Sequence, residues 1–191
     1  MKKNIEIRIA GFGGQGIIMA GYIIGKAAAI YDNKHSTLIQ SFGPEARGSS
    51  CSAQVIISET QILYPYLIRP DISILLSRDS YEKFNGELKD GGIMLIEKDL
   101  VQLQEHSKNI SIYDIPATRL AEEMGRKIVT NIIMVGFFAA CTQITSYEAS
   151  KKAVESSVPP GTEALNLKAF ETGFEYGNKL LAEPQKSRLK A

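Results

Sequence analysis

Tryptophan is absent from this 191-residue sequence, and cysteine and histidine occur only twice each, as Cys51, Cys141, His35 and His106. The cysteines are far apart and form no CxxC pair. That set excludes a zinc site or an iron–sulfur cluster built by this chain alone, since both want about four closely spaced N or S ligands. Charge of one sign is also lacking. With 22 basic and 21 acidic residues the formal charge is +1, so no whole-molecule field draws the chain to nucleic acid or to an anionic membrane. No apolar run reaches the roughly 20 residues needed to span a bilayer. The N-terminus, MKKNIEIRIAG, opens like a secretory signal but meets Glu6 and Arg8 before an apolar stretch can form. These absences point to the cytoplasm, with neither membrane nor nucleic acid as a partner. What remains is 44% hydrophobic and 23% charged, the composition of a globular chain sized for one domain. The expected domain spans 1–182, with a polar tail over 183–191.

Residues 5–11 alternate Ile, Glu, Ile, Arg, Ile and stop at glycine, the pattern of a strand. A glycine-rich turn follows, and then an alanine-rich apolar stretch over 17–31, too long for a strand and best read as a buried helix. Gly21 and Gly25 within it read as close packing points. Strands are expected over 36–41 and 51–58, with 62–64 pairing onto the latter as a hairpin. Nearly continuous apolar runs over 71–77 and 92–97 flank a helix over 80–88. They read as strands buried on both faces. A strand over 110–115 ends at Pro116, and helices are expected over 117–124, 131–142, 146–156 and 164–181. This alternation predicts an α/β fold, a three-layer α/β/α sandwich with a mixed, mostly parallel sheet. The 131–141 segment is apolar all round, so it is either a central core helix or one covered by another subunit.

Two segments carry candidate chemistry. Gly11-Phe12-Gly13-Gly14-Gln15-Gly16 fits G-x-G-x-x-G between a strand and a helix. Glycines there allow close backbone approach, and the free N–H groups and dipole of the helix start attract a phosphate or carboxylate. The plainer alternative is a tight turn that only packs helix on sheet. A dinucleotide site would want an acid at the end of the second strand, which instead reads Leu38-Ile39-Gln40-Ser41; Asp32 and Glu45 lie before and after it. A P-loop reading of 21–26 fails on spacing and on Ala27. The second segment is Ser41-Phe42-Gly43-Pro44-Glu45-Ala46-Arg47-Gly48. If the first two strands run parallel, it emerges at the same sheet edge as the glycine turn. Arg47 then offers a planar fork for an anion, and Phe42 a face for a ring or acyl chain. Otherwise this is an exposed turn with an Arg47–Glu45 surface pair. Cys51 reads as a small buried hydrophobe, His35 as a turn residue and His106 as solvent-facing. Spacing assembles no catalytic set, so the chain reads as a binding domain.

The two loops in this order, followed by Gln54-Val55-Ile56-Ile57-Ser58, Tyr64-Pro65 and Pro70-Asp71, resemble the gamma subunits of 2-oxoacid:ferredoxin oxidoreductases, the 2-oxoglutarate type most of all. The resemblance runs from about Ile5 to Leu181. It implies a subunit, inactive alone, of an enzyme that oxidatively decarboxylates a 2-oxoacid to an acyl-CoA and reduces ferredoxin. It also implies that coenzyme A binds at or near this subunit. Thiamine diphosphate, magnesium and iron–sulfur clusters would then sit on partner alpha and beta subunits, with a delta subunit as a further candidate partner. Carried onto this chain, Gly13, Gly14, Gln15, Gly16, Ile17, Ser41, Phe42 and Arg47 would contact coenzyme A. Ser49 stands where the family usually has a second glycine after Arg47-Gly48. A subunit of indolepyruvate oxidoreductase and a free-standing dinucleotide-binding protein are the alternatives.

Overall fold

The computed structural model describes residues 4–42, 50–103 and 109–183, and the side chains of Phe42 and Ser50 are not considered. Among these residues six strands form one sheet: β1 (Asn4–Phe12), β2 (His35–Phe42), β3 (Ser50–Ser58), β4 (Ile72–Leu75), β5 (Ile93–Glu97) and β6 (Ser111–Ile115). Their spatial order is β2-β3-β1-β4-β5-β6. The run from β1 to β6 is parallel, whereas β3 is antiparallel to both β1 and β2. The sheet is therefore mixed and mostly parallel, as expected. β2 does run in the same direction as β1, so both end at one edge, but β3 lies between them. The register makes this edge compact, since Cys51 pairs with Gly11 on one side and with Phe42 on the other.

Alternation on β1 sends Ile7 and Ile9 into the larger core and Arg8 and Ala10 to the opposite face. The larger core is built by α1 (Ile17–Lys26), α3 (Ala117–Glu123), α4 (Thr130–Thr142), α5 (Tyr147–Glu155) and α6 (Glu163–Ala182). α1 continues as a π-helical turn over Ala27–Tyr31. Gly21 packs directly on β3, where an added Cβ would lie 2.8 Å from Ala53. The second face is thinner. Here α2 (Arg78–Phe84), opened by a reciprocal Ser77–Ser80 capping box, covers β1 and β4. Arg8 is buried beneath it, paired with Glu87 at 2.8 Å and lying 4.4 Å over the Phe84 ring.

The hairpin expected over 62–64 does not form. Residues 59–71 run without a strand, because side chains of the sheet satisfy their backbone instead. Glu6 accepts from the N–H groups of Ile68 and Arg69, and Gln54 accepts from that of Leu67. Of the side chains that suggested a strand, Ile62 is half-buried while Leu63 and Tyr64 point outward, 84% and 59% exposed.

α4 is buried from Thr130 to Ala140, and within this chain its cover is α6. The two helices touch backbone to backbone. A Cβ on Gly136 would collide with the carbonyl of Phe170, and one on Gly173 with that of Ile133. Gly136→Ala should therefore cost roughly 2–4 kcal/mol of stability through overpacking. Gly86→Ala, where a Cβ meets nothing within 4 Å, should stay near neutral. Urea denaturation of both variants checks this; equal midpoints would contradict the close crossing.

Candidate functional site

Immediately after β1 the chain turns sharply at the carboxyl edge of the sheet, where open α/β folds place their ligands. Gly14 (φ 99°) and Gly16 (φ 71°) adopt left-handed backbone angles that other residues rarely take. Gln15 staples the turn from within: its Oε1 accepts from Phe12 N–H at 2.7 Å and its Nε2 donates to the Leu76 carbonyl at 3.0 Å. α1 then starts at Ile17 with no side-chain cap. Its first N–H groups have no acceptor within the helix.

Beside this turn opens a cavity of about 1070 Å³. One wall is Phe12, Gly13, Gly14 and the α1 start with Ile17 and Met19. A second is the start of α4 with Arg126, Ile128, Val129 and Asn131, and a third is the approach to α6 with Pro159, Thr162, Leu165 and Asn166. Three helix starts thus converge, and none of α1, α4 and α6 has a side-chain cap. Of the three helices that begin elsewhere, α2 and α5 are capped by Ser77 and Ser146, and α3, which follows Pro116, has no side-chain cap. No carboxylate lines the cavity among the described residues, and Arg126 is the one charged side chain that does. Partial positive charge from the helix starts therefore adds to a full one, with Glu163, in the first turn of α6 but outside the lining, as the acid that partly offsets them. Most of the remaining wall is apolar. Such a space suits a ligand with an anionic end and an uncharged body.

The residues expected at the site divide. Gly13, Gly14, Gly16 and Ile17 line the cavity. Gln15 is beside it, but its side chain is spent on the turn. Ser41 is exposed and pairs with Ser52, one position from Cys51, so it faces the other side of the sheet. Phe42 is placed by its backbone at the end of β2, and Arg47 lies outside the described residues. Arg126, Asn131 and Asn166 had not been singled out. The signal for Asn131 was there, as a lone polar residue opening an all-apolar helix, but its partner Gly16 is remote in sequence.

Asp32, the acid nearest to a ribose-binding position, accepts from both the N–H and the hydroxyl of Ser146 at 2.8 and 2.7 Å. It anchors α5, so it is not free for a dinucleotide. Cys51 lines the cavity, but burial pushes its thiol up, and burial pushes Cys141 up to about 12. Both stay protonated and poorly nucleophilic. Among the described residues no group of three or more His, Cys, Asp or Glu could hold a metal ion, so they do not fit an iron–sulfur cluster, which takes four such ligands. No helix of the described residues is long and apolar enough to cross a membrane.

A mixed sheet with a glycine turn at its carboxyl edge, beside a cavity of this lining, is the arrangement of a ligand-binding α/β domain. The chain belongs to the pyruvate ferredoxin/flavodoxin oxidoreductase family, which it matches over residues 6–176. Among its relatives is the 2-oxoglutarate synthase subunit KorC of Methanocaldococcus jannaschii, 46% identical over 182 residues, covering 94% of this chain and 97% of that one. The gamma subunit of a keto/oxoacid ferredoxin oxidoreductase from Geobacter sulfurreducens is 40% identical, with a TM-score of 0.81 over 93% of this chain and 99% of that one. The fold also recurs in the 2-oxoglutarate:ferredoxin oxidoreductase of Magnetococcus marinus, solved with 2-oxoglutarate, coenzyme A and succinyl-CoA. There the identity is 23% and the TM-score 0.82, covering 98% of this chain and 33% of that one. Family membership sets aside the free-standing dinucleotide-binding alternative.

The sheet's carboxyl edge also holds a fully buried acid away from the cavity. Glu97, at the end of β5, accepts from Thr118 N–H at 3.2 Å while its other oxygen is buried without a partner. Burial is the largest influence, raising its pKa above the usual 4.5. The folded state therefore holds this proton more tightly than the unfolded one, and native stability is lost as pH climbs from the usual carboxyl value through the raised one. Glu97→Gln has no such proton to lose. Its melting temperature relative to the unsubstituted protein should rise between pH 4.5 and 8, as read by thermal denaturation; a difference that is flat or falling would contradict this.

Proposed function

We propose that this chain is the gamma subunit of a 2-oxoglutarate:ferredoxin oxidoreductase, and that its cavity binds coenzyme A. The observation that carries the ligand is the cavity wall itself, with three uncapped helix starts and Arg126 around a mostly apolar space that no carboxylate lines among the described residues. Coenzyme A matches it in outline, with phosphates at one end and a long uncharged arm ending in a thiol. The substrate follows the relatives named 2-oxoglutarate synthase, which share 44–46% identity over nearly all of this chain.

In this reading the chain positions and does not make bonds. N–H groups of Gly13, Gly14 and the first turn of α1 bind phosphate, with Arg126 and Arg47 as the cations that complete the anion site. Gln15 keeps the turn in shape, Ile17 packs against the ligand, and Phe42 belongs to the rim near the end of β2, whereas Ser41 faces away from the cavity. Holding the ligand in this way turns thiol attack into an effectively intramolecular step. Decarboxylation and electron transfer would come from thiamine diphosphate, magnesium and iron–sulfur clusters on alpha and beta partners, with ferredoxin as acceptor. Leu63, Tyr64, Tyr66 and Ile68 supply exposed apolar surface of the kind that a subunit covers in its complex.

The reconstituted complex, assayed with 2-oxoglutarate, pyruvate, branched-chain oxoacids and indolepyruvate, should prefer 2-oxoglutarate. A preference for indolepyruvate would overturn the substrate and favour the other subunit type. Arg47→Ala should raise the coenzyme A concentration needed for half-maximal rate about tenfold, the loss of one charge-assisted bond, with assembly intact. An unchanged requirement would remove Arg47 from the site.

A further inference from the structure

Two asparagines, Asn131 on α4 and Asn166 on α6, line the cavity while being more than nine-tenths buried. A buried carboxamide has a donor end and an acceptor end, and both normally find partners. Here the donor ends are spent on the protein. Nδ2 of Asn131 donates to the Gly16 carbonyl at 3.3 Å, and Nδ2 of Asn166 donates to the Thr162 carbonyl at 2.9 Å and its hydroxyl at 3.1 Å. Because a carbonyl oxygen can be met only by the NH2 end, these bonds fix which way round each amide sits. Each Oδ1 is left without a partner, yet neither is sealed from solvent. With both residues otherwise buried, the opening each oxygen faces is the cavity.

We propose that these two acceptors read the pantetheine arm of coenzyme A, each taking one of its amide N–H groups. The inference rests on the coenzyme A reading above and assigns to Asn131 and Asn166 a role as specificity-determining residues. A bare acceptor in an apolar wall repels phosphate and carboxylate and welcomes an N–H donor, since leaving it unmet in a filled cavity is costly. The wall thus offers both kinds of group: donors and positive charge for the phosphates, and two acceptors for the amides. Two fixed acceptors also set the register of a flexible arm, and so how far the thiol projects. Nδ2 of Asn131 holds the α1 start by the same side chain, tying arm recognition to the shape of the phosphate-binding turn.

The test compares coenzyme A with analogues in which one amide N–H of the arm is replaced by an ester oxygen, using equilibrium binding to the assembled complex. Each analogue should bind about tenfold more weakly, as expected for one lost hydrogen bond and one unmet acceptor. Asn131→Leu and Asn166→Leu should each abolish discrimination against the matching analogue. Equal binding of coenzyme A and both analogues to the unsubstituted complex would overturn the proposal, whether or not the variants fold, and would leave coenzyme A binding itself standing. Discrimination that survives both substitutions would overturn it as well. A complex that binds no coenzyme A at all would overturn the functional reading beneath it.

Discussion

A single side chain joins the two halves of the site. Asn131 at the start of α4 donates to the carbonyl of Gly16 at the start of α1, and Gly16 must be glycine both for its left-handed backbone and because a Cβ there would collide with that same side chain. The bond holds the starts of α1 and α4 side by side at the cavity wall, with the first N–H groups of α1 left without an acceptor in the helix. Capping them with serine or aspartate, as most helices do, would satisfy those groups and leave the cavity nothing to offer an anion. Weaker local helix starts are thus exchanged for a binding surface, which is a common pattern where function overrides local preference.

The placement of α4 depends in turn on α6. Glycines at the crossing let the two backbones touch, and Phe170, Phe174 and Tyr147 fill the space around it, with the Tyr147 and Phe174 rings 4.7 Å apart. Packed interiors transmit position because they cannot deform continuously. A helix pair locked in this way holds Asn131 on one helix and Asn166 on the other at a fixed separation. The site is therefore rigid on its helical side.

Much of this arrangement is legible in the residues themselves, and what is not has a common cause. The glycine turn is readable because left-handed angles and close approach restrict residue type locally. The sheet class is readable because strands buried on both faces show as nearly continuous apolar runs, as in Ile72–Leu75 and Ile93–Glu97. Less readable are features set by a distant partner. Gln15 looked like a ligand contact, but Phe12 and Leu76 claim its side chain. The apolar 62–64 segment looked like a strand, but Glu6 and Gln54 satisfy the backbone beside it and leave Leu63 in solvent. The all-apolar helix α4 left open whether another subunit covered it, and α6 supplies that cover. Arg126 carried no motif at all, because its meaning comes from being the charged side chain, among the described residues, that lines a cavity only the folded chain assembles.

The central claim is that coenzyme A lies in the space between the starts of α1, α4 and α6. A structure of the assembled complex with coenzyme A bound tests it most directly. The account predicts phosphate oxygens within hydrogen-bond distance of N–H groups between Gly13 and Met19, with the arm running past Asn131 and Asn166. Coenzyme A lodged wholly on another subunit, with this cavity filled only by solvent, would contradict it.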